Sequence, residues 1–308
     1  MERTSNYFKY NFKNSKKILD NSEDSTDNVK NKSAKKPVQI CAGFFYTRYW
    51  EAPMELHLST FVIISISFFF AGIIDAVSGG GGLLTLPTFM LTGFPVHLIS
   101  GTNQCSCLLG GFTSLYKFIK SGHVYWFTAS IAGINAVIGS VLGAKLNLIL
   151  SAKYLQIIMV LLLPVAAVFI LANKSLGEES KMDTLSRRQL AIRAVLIGLI
   201  LGAYTGFYGA GGGAFILLAF TTLTKLDLIT ASGNTKVCSV AAGFTACVTF
   251  ALSHTVVWPI AFSATAFNIA GNYIGANLAI TKGARVIRPM FIVVLILLFA
   301  KLITSLIF

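Results

Sequence analysis

The sequence predicts an all-α polytopic membrane protein of about eight transmembrane helices. They form two homologous four-span repeats, each opening with a glycine-rich broken or re-entrant helix. Three observations carry this expectation. Hydrophobic residues make up 55% of the 308-residue chain and charged residues only 12%. A soluble globular protein carries about 25% charged residues, so this chain lacks the surface that water requires. Two glycine runs, Gly79-Gly80-Gly81-Gly82 and Gly211-Gly212-Gly213, interrupt stretches otherwise apolar enough for lipid. Finally, motifs of the first half recur in the second at a shift of 132 residues.

The apolar segments fall at 57–77, 98–116, 125–145, 153–172, 189–208, 229–252, 258–279 and 287–307, each close to the roughly 20 residues that span a bilayer. Two shorter apolar pieces, Leu83–Leu91 and Ala214–Leu223, follow the glycine runs directly. They are too short to span and read as half-helices, because lipid tolerates irregular backbone only where protein or a water-filled cavity covers it. The polar stretch 173–188 divides the chain into a first repeat at 56–173 and a second at 189–308, joined by a loop at 174–188.

The 132-residue shift lays Gly139-Ser-Val-Leu-Gly-Ala-Lys-Leu146 on Gly271-Asn-Tyr-Ile-Gly-Ala-Asn-Leu278, and Ser100-Gly101 on Ser232-Gly233. It also lays Val124 and Trp126 on Val256 and Trp258, and the glycine runs align after a small indel. Such self-similarity reads as internal duplication. Eight full spans would leave the two halves in the same orientation, whereas half-helices that cross the membrane would make them inverted repeats.

The chain carries a net charge of +13, and its tail at residues 1–55 has lysines from Lys9 to Lys36 interleaved with Asn, Ser and Asp. Low hydrophobicity without periodicity predicts disorder. A basic segment beside a membrane predicts a cytoplasmic N-terminus in a multi-pass protein of the cell membrane; elsewhere the basic loop residues are near parity between the two sides. The first apolar run starts too late for a secretory signal. Met54 opens a segment that reads as a natural start, so residues 1–53 are expected to be a lineage-specific extension or an over-long gene model. The tail has no aromatic platform or folded reader, and no nucleic-acid partner is expected.

The glycine runs point to chemistry. Without Cβ atoms, successive backbone N–H groups can converge, and the helix that follows adds its N-terminal dipole, which makes an anion site. Gly79, Gly80, Gly81, Gly82, Gly209, Gly211, Gly212 and Gly213 are therefore candidate substrate ligands. The bland alternative is close helix packing, and it is the preferred reading of Gly139, Gly143, Gly271 and Gly275. A second constellation, Ser100-Gly101-Thr102-Asn103-Gln104, is matched by Ser232-Gly233-Asn234-Thr235-Lys236. Helix capping needs one polar residue, and here several repeat in both halves. Thr102, Asn103, Gln104, Asn234, Thr235 and Lys236 join the candidate substrate site. A charged residue inside a span is a functional signal by default: Lys236 binds an anion directly or pairs with Asp75, unless it snorkels from near a helix end. Asp75, just before the first run, either carries a coupling proton or caps the half-helix; its counterpart is Thr205.

Other residues carry less. Cys105, Cys107, Cys238 and Cys247 read as small buried hydrophobes, with no histidine spaced for zinc. His57, His97, His123 and His254 sit near segment ends and form no cluster. No Walker motif occurs, and Ser78 has no histidine on a convincing partner helix, so an intramembrane hydrolase is not expected. No cofactor or metal is expected.

At these motifs the chain resembles the TauE/SafE sulfite exporter family. The carriers are AGIIDAVSGGGGLLTLP (71–87), GTNQ (101–104), Gly122-His-Val-Tyr-Trp126, GFYGAGGGAF (206–215), SGNTK (232–236) and GNYIGANLA (271–279). The resemblance implies secondary transport of small organic or sulfur-containing anions, coupled to a proton or another cation. Family members usually carry Lys where Gln104 stands and often Asp where Thr205 stands, so this chain keeps one cation of an implied pair. A passive anion channel is the alternative reading of the same residues.

Overall fold

The computed structural model describes residues 58–91, 96–150, 184–283, 285–287 and 289–290, all within one compact unit, Met54–Phe308. The expected tail at 1–55, the span at 153–172, most of the polar loop and nearly all of the span at 287–307 lie outside the described residues. The described part is helical: α1 (Leu58–Ser78), α2 (Gly82–Leu91), α3 (Val96–Lys120) and α4 (Trp126–Ile149), then α5 (Arg187–Phe207), α6 (Gly212–Leu223), α7 (Leu228–Leu252) and α8 (Trp258–Lys282). Both half-helices stand where the sequence puts them.

Among the described residues, four helices are long and apolar enough to cross a membrane: α1 from Phe61, α4, α5 and α7. Helices α3 and α8 have the length, at 25 residues each, but bury Thr102, Asn103, Gln104, Ser106, Thr265, Asn268 and Asn272 against neighbouring helices. Local signals set the ends. Ser186 and Gln189 form a capping box at the start of α5. Asp227 accepts bonds from the N–H groups of Ile229 and Thr230 at the start of α7, which satisfies donors that no intrahelical carbonyl reaches. Within α5 a π-helical turn, Ile197–Leu201, interrupts the regular ladder.

Contacts fix the helix directions. Phe68 O accepts from Asn268 Nδ2 (3.3 Å), and Gly275 abuts Ile73 and Ala76, so α1 and α8 run parallel. Ser106 O accepts from Thr265 Oγ1 (3.2 Å) and Lys117 Nζ donates to Asn277 Oδ1 (2.5 Å), which sets α3 parallel to both. Gly139 abuts Leu199 while Gly143 abuts Phe207, so α4 and α5 are parallel. Asn234 meets Thr128 and Ser140 meets Ala242, which adds α7 to that group. Between the groups the direction reverses, since Gly101 of α3 abuts Thr255 beyond the end of α7, and Gly233 of α7 abuts His123 beyond the end of α3.

Helix α1 thus takes the direction opposite to α5, α3 opposite to α7, and α4 opposite to α8. Both half-helices fold back on the helices that precede them. Helix α2 folds back along α1, with Ser67 and Thr88 hydroxyls 2.6 Å apart and the Phe68 and Phe89 rings edge to face at 5.4 Å. Helix α6 folds back along α5, where Tyr204 stacks edge-on against Phe215 at 5.2 Å. Gly139, Gly143, Gly271 and Gly275 all lie against backbone of a neighbouring helix, the packing role expected of them.

Candidate functional site

The two hairpins meet tip to tip. At the first, Gly79 turns with φ +74°, its N–H donating to Asp75 O (2.8 Å) and its carbonyl accepting from Ala214 N (3.1 Å) of the other tip. At the second, Gly209 and Gly211 turn with φ +78° and +72°. A Cβ on Gly82 would lie 2.7 Å from Ala210 Cα, and one on Gly213 2.7 Å from Gly79 Cα. A Cβ on Gly81 would press on Asp75 Cβ at 2.7 Å, and one on Gly212 on Thr205 Oγ1 at 2.5 Å. Gly80 is buried at the first tip. Close approach therefore accounts for most of both runs, because three or four glycines are what two backbones in contact require.

Beside the tips lies a cavity of about 60 Å³. Of the sequence-selected residues, it brings together Asp75, Gly79, Gly82, Asn103, Gln104, Gly209, Gly213 and Lys236. Lys236 is 2% exposed, so it does not snorkel; its Nζ lies 2.9 Å from Asp75 Oδ2 and also donates to the main-chain oxygen of Asp75. Asp75 keeps 27% of its side chain exposed. On the other side Gln104 Nε2 donates to Thr205 O (2.6 Å) and packs against Gly209. Asn103 is buried beside them, its Oδ1 3.9 Å from Cys107 Sγ.

Three selected side chains do not line the cavity. Thr102 Oγ1 accepts from Val257 N (3.0 Å), and Asn234 Oδ1 accepts from Tyr125 N (2.9 Å) while its Nδ2 donates to Thr128 Oγ1 (2.8 Å). Each caps the start of a helix in the opposite half. Thr235 Oγ1 turns back on Ala231 O of its own helix (2.7 Å).

The cavity also contains residues that motif reading did not select: Cys107 and Leu108 from α3, and Ser239, Val240 and Gly243 from α7. Helical spacing was the available signal. Residues three, four and seven positions beyond Lys236 share its face, and the 132-residue shift carries Ser239 onto Cys107. One cysteine reading needs correction. Cys105 and Cys247 are disulfide-bonded across α3 and α7, with Cα atoms 5.0 Å apart. Antiparallel packing joins residues 142 positions apart, which short-range spacing rules cannot see. Cys107 and Cys238 are free thiols.

A helical membrane protein in which two re-entrant hairpins meet beside a polar cavity belongs to the architectural class of membrane transporters. The comparisons agree. The sulfite exporter TauE/SafE family profile matches residues 64–302, and the chain belongs to that family. It is 29% identical over 254 residues to a "Probable membrane transporter protein" of Haemophilus influenzae, covering 81% of this chain and 97% of the relative. It is 30% identical over 259 residues to the "Probable membrane transporter protein YfcA" of Escherichia coli K12, covering 84% and 93%. No solved structure matches the chain.

Proposed function

We propose that the protein is a secondary transporter of a small organic or sulfur-containing anion in the cell membrane. In this reading it is built from two homologous repeats, 56–173 and 189–308, whose corresponding helices run in opposite directions and which each open with a broken helix, and its basic tail is cytoplasmic. The observation that carries the reading is the buried Lys236–Asp75 pair at the cavity where hairpins of opposite direction meet. Broken helices in corresponding positions of two halves mark transporter sites, and an intramembrane ion pair marks an ion or proton pathway.

The anion binds at the cavity face of Lys236, with Asn103 and the glycine backbone of the tips around it. Asp75 carries the coupling proton: once protonated it releases its hold on the ammonium, which then accepts the substrate. Alternating access follows from one repeat rocking against the other.

Flux in proteoliposomes tests this. Sulfite, thiosulfate, an alkanesulfonate and acetate are offered in turn against an imposed pH gradient. Accumulation of one of them above equilibrium is expected. Downhill movement alone identifies a passive anion channel, and no movement of any of them rejects the transport reading.

A further inference from the structure

We infer that Ser239 is a substrate ligand, a specificity-determining residue that makes the anion seat two-pronged; this rests on the transport reading above. Hydroxyls inside helices ordinarily give their hydrogen to the carbonyl four residues back. Helix α7 follows that habit at Ser232, Thr235, Thr245 and Thr249, whose Oγ atoms lie 2.7–2.8 Å from the carbonyls of Leu228, Ala231, Ala241 and Thr245. Ser239 does not. Its Oγ is buried and has no hydrogen-bond partner among the described residues.

Four other buried polar side-chain atoms share that condition, on Ser65, Thr85, Asn147 and Asn272. None of those residues lines the cavity, whereas Ser239 does. Leaving a buried hydroxyl unpaired is unfavourable, and a ligand in the cavity removes that penalty. Ser239 also sits one turn beyond Lys236 on the same helix face. The ammonium has three donors, and two of them go to the carboxylate and main-chain oxygen of Asp75. The third, together with the Ser239 hydroxyl, makes a pair of donors one helical turn apart, about 5–6 Å between Cβ atoms.

Two donors from one helix face, both lining the cavity, can address two oxygens of one anion. The seat therefore selects oxyanions with at least two terminal oxygens, such as a carboxylate, a sulfonate or sulfite, over a halide, which offers a single atom. The opposite wall does not duplicate it, because the equivalent position on α3 is Cys107, whose thiol is a weak donor.

The test is saturation flux of the best-moved probe of the sulfite, thiosulfate, alkanesulfonate and acetate panel, with chloride as competitor. Ser239→Ala is expected to raise KM about tenfold, the loss of one hydrogen bond to a charged group. Maximal rate is expected to hold, and chloride is expected to compete more strongly. Ser239→Thr, which keeps the hydroxyl, is expected to restore KM. A lowered Tm in Ser239→Ala with unchanged KM and chloride sensitivity overturns the assignment and leaves transport intact. If the wild-type protein moves none of the four probes, the transport reading fails and takes the seat with it.

Discussion

The tip of each hairpin is held by one side chain from the other half, and the two holds differ in chemistry. At the first tip the Lys236 ammonium takes the main-chain oxygen of Asp75 and its carboxylate at 2.9 Å. At the second the Gln104 amide takes the main-chain oxygen of Thr205 at 2.6 Å. Gln104 and Lys236 are equivalent under the 132-residue shift, so one geometry is realised once with an ion pair and once with a neutral hydrogen bond. The neutral version demonstrates that holding a hairpin tip does not need charge. Desolvating an ion pair is expensive, and a buried pair is weak evidence for stability. The charge at the first tip is therefore better explained by work on an ion than by architecture.

The equivalent turn glycines offer the sharpest way to break the comparison. Gly79 and Gly209 have nearly the same φ, +74° and +78°, so alanine meets about the same left-handed strain, roughly 1–2 kcal/mol, at either place. Their neighbours differ. A Cβ at Gly79 overlaps the backbone of Gly213, whereas at Gly209 it meets the Gln104 amide, 2.9 Å from Nε2, which can swing away. Gly79→Ala is expected to abolish assembly of the folded protein, and Gly209→Ala to give a folded but weakened one. Size-exclusion profiles and melting curves in detergent decide it; equal behaviour would mean the tips are not packed backbone to backbone.

The ion pair is next in size. Asp75→Asn leaves a 2% exposed ammonium without a counter-charge, and breaking a buried pair from one side is destabilising by about 3–5 kcal/mol. Lys236→Met should be milder, because Asp75 keeps 27% exposure to the cavity. The double variant Asp75→Asn, Lys236→Met should recover most of the stability, since no unpaired charge remains. Flux separates function from folding. Lys236→Met and the double variant are expected to move no anion, while Asp75→Asn is expected to retain some exchange and lose accumulation against a pH gradient. A double variant that transports would remove the pair from the mechanism.

Much of this was legible in the sequence, and the limits have physical causes. Hydropathy located the helices because lipid leaves few alternatives, and both half-helices followed from glycine runs that lipid does not tolerate uncovered. The prominence of Asp75 and Lys236 followed from their charge in apolar surroundings. Their pairing was one of three open readings, beside direct anion binding and snorkelling of Lys236, because sequence separation says nothing about which helices touch. Thr102 and Asn234 looked like ligands for the same reason: a polar residue that caps a helix across a repeat boundary has the composition of a binding residue. Ser239 was passed over because one hydroxyl in a helix carries no signal until its neighbours are known. Whether α2 and α6 fold back or continue was open in the sequence, because ten or so apolar residues are compatible with both.

The smallest effect lies at the neutral hold. Gln104→Ala removes one hydrogen bond, for which about 1 kcal/mol is typical, and leaves the Thr205 carbonyl without that partner. It adds no unpaired charge, so its effect should be well below that of Asp75→Asn. Gln104 also packs against Gly209, so the two sites should couple. Gly209→Ala already displaces the amide; with Gln104→Ala added, little further stability should be lost, and the double variant should fall short of the sum of the singles by roughly the energy of the one shared bond. Chemical denaturation of the four proteins measures that coupling. Strict additivity would mean that Gln104 does not hold the second tip, and the likeness between the two clamps would be lost. Coupling together with accumulation against a pH gradient in Gln104→Ala would mark the neutral clamp as structural and leave proton coupling to the charged one.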